Sequence, residues 1–205
     1  MGECEEGHRD VREFHLLSFG AGVQSTCLYL MAEAGELRID AALFADTGDE
    51  PEKVYLHLMY LDLAAKTPII VRSKGVIGDD LLASTSSTGQ RFASIPAFTG
   101  VAGKKEGRLR RQCTSEYKIE VVNQSMRRDV LGLLPRKRIP KDVAVHWYFG
   151  ISLDEARRTK GILKRMKKTP YATAHFPLIE RQMTRGDCVA WMQGKLPYEV
   201  PRSAC

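Results

Sequence analysis

The chain has 205 residues, 43% of them hydrophobic and 27% charged, enough for one sizeable core, and a single domain over 1–205 is expected. No 18 apolar residues run together, and the first ten, MGECEEGHRD, are acidic and lack an apolar stretch. A spanning helix, a secretory signal and a transit peptide are therefore unexpected, and the reading is a cytoplasmic protein without a membrane partner. The net charge of +6 hides a split: residues 1–66 are acid-rich, whereas 101–141 hold Lys104, Lys105, Arg108, Arg110, Arg111, Lys118, Arg127, Arg128, Arg136, Lys137, Arg138 and Lys141 against four acids. That half is expected to attract anions.

In chain order, 1–12 read as a flexible tail and 14–19 (FHLLSF) as a short buried strand. A helix follows at 24–35, closed by Gly35. IDAALFA at 39–45 repeats the strand pattern, DTGDEPE is a turn, and 52–65 is a helix with Val54, Leu58, Leu61 and Ala65 on one face. PIIV at 68–71 is a third strand. Residues 84–111 lack periodicity and read as a long mobile loop. Helices are expected at about 115–131, 154–168 and 184–194, with VAVHWYFG at 143–150 as another buried strand. Alternating apolar strands and helices predict an α/β, Rossmann-like parallel sheet with helices on both faces.

Four places carry chemistry. In SFGAGVQST (18–26) a strand ends in small residues and feeds a helix, an arrangement that aims backbone N–H groups and a helix dipole at one point. Gly20, Ala21 and Gly22 allow close approach of a phosphate, and Ser18, Ser25 and Thr26 can each donate a hydroxyl. No Gly-Lys-Ser/Thr follows and the full G-x-G-x-x-G is missing, so this is neither a Walker loop nor the dinucleotide fingerprint. Asp46 and Thr47, at the carboxyl end of the second strand, belong beside that loop, where an acid can hold a ribose hydroxyl or a metal. Alternatively Thr47 or Asp49 caps the following helix. Gly150 ends the 143–150 strand, and Arg158 lies three residues past Glu155 on one helical side.

Among the five cysteines, Cys113 follows Arg108, Arg110 and Arg111 at a helix start, which favours a reactive, metal-binding thiolate. Cys27 and Cys188 sit within helical patterns as buried thiols, Cys4 lies in the tail, and Cys205 ends the chain. The odd count and the absence of a dense framework point to reduced thiols. Tyr117, Trp147 and Tyr148 can stack on a base.

Gly20-Ala21-Gly22-Val23-Gln24-Ser25 resembles the S-G-G-x-D-S signature of the PP-loop family of ATP pyrophosphatases and phosphoadenylyl-sulfate (PAPS) reductases, with Gly20, Ala21 and Gln24 in place of Ser, Gly and Asp. FADTGDEPE (44–52) resembles the D-T-G segment of the reductase branch, keeping Phe44, Asp46, Thr47, Gly48 and Glu52. Residues 149–158 resemble a G-I-x-x-x-E segment followed by an arginine. FPLIERQMTRGDCVAW resembles a P-L-x-x-W-T-x-x-D-V segment, in which Thr184 or Asp187 reads as a helix cap. The resemblance runs from residue 16 to about 191.

It implies an adenine nucleotide, ATP or PAPS, held by Ser18, Gly20, Ala21, Gly22, Gln24, Ser25, Thr26, Asp46, Thr47, Gly48 and Gly150, with Mg2+, and with Arg158 closing over an anion. It also implies Cys113 and Cys205 as catalytic or cluster-ligating thiols. The third cysteine of a [4Fe-4S] site has no counterpart in this sequence. Three functions remain open. The first is adenylation of a small molecule or nucleic acid by ATP with pyrophosphate release, in sulfur transfer or nucleobase modification. The second is a PAPS reductase acting through Cys205, and the third a nucleotide-binding module without turnover in a nucleic-acid-associated system.

Overall fold

The computed structural model describes residues 11–83, 98–99, 107–108 and 114–203. Its centre is a sheet of five parallel strands: β1 (Arg12–Phe19), β2 (Ala41–Asp46), β3 (Ile69–Ser73), β6 (Val143–Phe149) and β7 (Ala172–His175), in the order β3-β2-β1-β6-β7. A separate antiparallel pair joins β4 (Phe98–Thr99) to β5 (Gly107–Arg108). The chain builds outward from β1 to β3, then returns to lay β6 on the other side of β1. The strand order therefore reverses at β1, the position where an open α/β sheet opens a crevice beyond its strand ends.

Period-two alternation divides the sheet's side chains between two faces. Leu17, Phe19, Ala42 and Phe44 face α1 (Val23–Glu33), α2 (Glu52–Ala64) and α7 (Arg185–Met192), which contribute Leu28, Met31, Val54, Leu58, Leu61 and Met192 to one core. Leu16, Leu43, Val143, Val145 and Trp147 face the other way, onto Val122 and Met126 of a helical run and Met166 of α5 (Thr159–Met166). That run consists of α4 (Glu120–Ser125) between π-helical turns at Thr114–Ile119 and Met126–Val130. The Rossmann-like α/β architecture is present, and no described helix is long and apolar enough to cross a membrane.

Several boundaries differ from expectation. The strand begins at Arg12 instead of following a tail through residue 12, because Arg12 N–H donates to Asp142 O at 2.8 Å and its guanidinium pairs with the Asp142 carboxylate at 3.0 Å. Neither Thr47 nor Asp49 caps α2. The N-cap position is Pro51, Thr47 turns its hydroxyl to Glu50, and Asp49 accepts from Gly78 N–H. The expected 154–168 helix starts as a 3-10 stretch at Leu153–Arg158. The sequence pattern does not mark α3 (Ile77–Leu82), β7 or α6 (Pro177–Glu180), nor the short β4 and β5 within the stretch expected as a loop. Gly35 closes α1 with a φ of 77°, while Glu36 N–H returns to Met31 O at 2.9 Å. Most of the expected mobile loop, 84–111, lies outside the described residues, as do Cys4, Cys113 and Cys205.

Candidate nucleotide site

A cavity of about 800 Å³ opens at the carboxyl ends of β1, β2 and β6. Its floor is Ser18, Phe19, Gly20 and Gly22 from the first strand and loop, Phe44 and Ala45 from β2, and Trp147, Phe149 and Gly150 from β6. Trp147 and Phe149 are two residues apart, so they share a sheet face and stack at 6.3 Å between ring centroids. Phe149 stacks in turn on Phe176 at 5.9 Å. These rings give the cavity a flat apolar wall.

Five cations also line it. Lys118 comes from the π-helical turn, Arg158 from the 3-10 stretch, Arg165 from α5, Arg185 from the first turn of α7, and Arg202 from the C-terminal segment. Among the described lining residues Glu155 is the one acid, and it is already paired: its Oε2 accepts from Arg158 Nη1 at 2.8 Å and from Gln24 Nε2 at 3.3 Å. Positive charge concentrated over apolar walls, with so little counter-charge, favours anions over cations electrostatically.

The loop itself is wound tightly. Ala21 is fully buried at a φ of 52°, a left-handed conformation that costs a non-glycine residue on the order of 1 kcal/mol. That bend aims Gly20 N–H and Gly22 N–H at one point, where the Ser25 Oγ sits, accepting from both at 3.3 Å and donating to Gly22 O at 3.1 Å. Ser25 therefore occupies the place expected for a phosphate oxygen instead of offering a free hydroxyl. A ligand reaches these amides only after Ser25 rotates away. Gly22 faces open space, since a Cβ there would meet nothing within 4 Å.

Thr26 does not belong to the site. It is fully buried and its hydroxyl bonds His57 Nε2 at 2.9 Å, while His57 Nδ1 bonds the Tyr198 hydroxyl at 3.0 Å. Burial holds His57 down to about 4, so the ring is neutral near pH 7. Gln24 does line the cavity and acts as a strut. Its amide donates to Ser152 Oγ and Glu155 Oε2, both at 3.3 Å, and its carbonyl accepts from Arg185 Nη1 at 3.2 Å. An aspartate at this position would have no N–H to offer Ser152 and Glu155.

Asp46, Thr47 and Gly48 are absent from the lining. Asp46 Oδ1 accepts from Gly48 N–H at 2.8 Å and from the Tyr55 hydroxyl at 2.9 Å. Gly48, at a φ of 77°, packs so closely on Val76 that a Cβ would stand 2.9 Å away. This turn acts on the cavity at one remove. Thr47 Oγ1 donates to Glu50 Oε1 at 3.4 Å, and the same buried oxygen holds Lys118 Nζ at 3.3 Å. Gly150 lines the cavity, yet its smallness is required by packing: a Cβ would lie 2.7 Å from Ser25 N.

Of the expected stacking residues, Trp147 alone reaches the cavity. Tyr117 is buried with its hydroxyl on Asp80, and Tyr148 faces the other side of the sheet against His15. Arg158 is at the cavity, paired with Glu155 as their spacing predicts. Thr184 and Asp187 form the expected capping box of α7. Cys27 and Cys188 are buried in the α1–α7 core, where the hydrogen bond to Cys188 and desolvation push the Cys27 thiol up. Neither lines the cavity, and Cys113 and Cys205, the cysteines expected at a cluster, lie outside the described residues. Of the two carboxylates near the loop, Glu155 lines the cavity and Asp46 does not.

Lys118 and Arg165 belong to the basic stretches 101–141 and 157–168 expected to attract anions, whereas Arg185 and Arg202 carry no such signal in the sequence. Each sits in an ordinary helical or coil stretch, and no local pattern marks which cations converge. Comparisons with protein-family profiles, with curated proteins and with solved structures return no match to this chain.

Proposed function

We propose that the chain is a PP-loop-like enzyme that binds ATP in the cavity beyond β1 and β6 and adenylates a second substrate with release of pyrophosphate. The observation that carries this reading is the convergence of Lys118, Arg158, Arg165, Arg185 and Arg202, from four separate segments, on one cavity walled by Trp147 and Phe149. A polyphosphate joined to a flat base is the ligand class that uses both halves of such a lining. Cations fixed by their own partners, Lys118 by Glu50 and Arg185 by Gln24, are preorganised to offset charge as it moves onto a leaving group. In the reaction, an acceptor nucleophile bonds the α-phosphorus, the bond from that phosphorus to the bridging oxygen breaks, and pyrophosphate departs. Any Mg2+ arrives with the nucleotide, as part of the substrate.

The acceptor class follows from charge. Lys160, Lys164, Lys167 and Lys168 are exposed on and just after α5, next to the cavity's Arg165. An acceptor carrying phosphates, such as a nucleic acid, fits that rim. Release of pyrophosphate and of AMP from ATP in the presence of bulk RNA or DNA tests the reading. ATP binding with no pyrophosphate would favour the module without turnover.

One observation favours a second reading. Pro201, Arg202 and Ser203 line the cavity, and Cys205 follows two residues later in sequence. In a PAPS reductase a thiolate would bond the sulfate sulfur, the sulfur–oxygen bond to the nucleotide would break, and a thioredoxin-type dithiol would then release sulfite. Sulfite produced from PAPS with thioredoxin, and lost in Cys205→Ser, selects this chemistry.

A further inference from the structure

The sheet face covered by α1 also carries a group of side chains that the cavity does not use. Glu13 and His15 stand on β1, His146 and Tyr148 on β6, and His175 on β7. His15 and His146 are register partners on neighbouring parallel strands, so their rings lie side by side, stacked at 4.6 Å between centroids with planes 11° apart. Both Nδ1 atoms are engaged: His15 with the Tyr148 hydroxyl at 3.0 Å, His146 with His175 Nε2 at 2.9 Å. Both Nε2 atoms are buried and, among the described residues, have no hydrogen-bond partner. Buried polar atoms are rarely left so. Beside them stands the Glu13 carboxylate, with Oε2 3.7 Å from His15 Nε2 and Oε1 4.0 Å from His146 Nε2.

We propose that Glu13, His15 and His146 form a binding site for a divalent transition-metal ion, with Zn2+ the class best matched to two imidazole nitrogens and one carboxylate. One ligand atom from each residue lies within 4.8 Å of the other two. Ligands of a tetrahedral zinc sit about 2.0–2.1 Å from the ion and hence roughly 3.3 Å from one another. The Glu13 contacts need only a small contraction, and that side chain, 49% exposed, is free to swing. The stacked rings have to splay, because each lone pair lies in its own ring plane. Half exposure of Glu13 leaves a fourth position open to water.

The surroundings have the form that metal-binding histidines require. A ligating imidazole is oriented by a hydrogen bond from its other nitrogen. Here His15 Nδ1 is bonded to the Tyr148 hydroxyl and His146 Nδ1 to His175 Nε2, and in the tautomers that carry the proton on Nδ1 both Nε2 lone pairs are left for the ion. Arg38 competes for the carboxylate: its Nη1 lies 3.9 Å from Glu13 Oε2 and has to give way to a cation. Its side chain is 61% exposed, so it can move.

The test is titration of the full chain, stripped with a chelator, with Co2+ followed by absorption, then displacement by Zn2+. One Co2+ per chain is expected, with ligand-field bands and without thiolate charge-transfer bands. Affinity should fall at least tenfold in Glu13→Gln and be lost in His146→Ala, whereas Arg38→Ala should bind several-fold more tightly. Should His146→Ala fail to fold, Glu13→Gln decides, since that side chain is half exposed. Absence of stoichiometric binding, thiolate bands in the spectrum, or unchanged affinity in Glu13→Gln overturns the proposal.

Discussion

The end of β6 and the first turn of α1 are in backbone contact, so close that a Cβ on Gly150 would stand 2.7 Å from the amide nitrogen of Ser25. Neither backbone can yield as a flexible side chain would. Gly150→Ala should therefore destabilise the fold by about 1–3 kcal/mol, the usual cost of overpacking, and weaken ligand binding as the crevice is forced open. Gly22→Ala behaves oppositely. Its added methyl meets nothing in the protein, so thermal unfolding should match the parent while ATP affinity drops at least tenfold. Paired melting curves and calorimetry on the two variants check this, and equal melting temperatures would contradict the packing.

Ser25→Ala separates two roles of the loop. In the free protein Ser25 satisfies the amides of Gly20 and Gly22, so its removal should cost about 1 kcal/mol, as loss of a helix-start hydroxyl does. If ATP phosphates accept from the same amides, nucleotide repairs the defect. The rise in melting temperature on adding ATP should then be larger in the variant than in the parent. A smaller rise would show that the phosphates lie elsewhere.

Glu50 is wholly buried and Lys118 is the cation it holds at the cavity wall. Lys118→Met removes a cation from that buried carboxylate and should cost about 3 kcal/mol. Adding Glu50→Gln should recover most of the stability but none of the ATP affinity. Urea unfolding of both single variants and the double variant, beside binding curves, measures each side of this split.

His57 makes the fold acid-sensitive. Its folded-state value is held near 4 by burial, against an ordinary 6.5. Below pH 6.5 the unfolded chain takes up a proton that the folded protein refuses until about pH 4. Stability is thus fully present above 6.5 and falls across that window by up to ~3 kcal/mol. His57→Gln should flatten that fall, seen as a smaller drop in urea midpoint between pH 7 and pH 4.5 than the parent shows. An identical drop would place the sensitivity in other groups.

The layered sheet was legible because β2 is a continuous apolar run and β1 and β6 each carry an apolar stretch that has to be buried. The edge strand β7, four half-exposed residues reading ATAH, carries no such signal. The loop's position was legible from its small residues between strand and helix. The orientations of its hydroxyls were not: Thr26 turns inward because position 26 of α1 faces α2, a tertiary fact. Asp46 and Thr47 read as ligands because they end a strand, yet each finds a partner within its own turn. The cations of the cavity come from segments spread over more than eighty residues, and only the fold brings them together.

The central claim is that this cavity takes the phosphates of an adenine nucleotide. Isothermal titration of the parent and of Arg185→Ala with ATP and with adenosine tests it most directly. ATP should bind one per chain, at least tenfold more tightly than adenosine, and Arg185→Ala should erase most of that difference. Absence of ATP binding, or equal affinity for ATP and adenosine, would contradict the account.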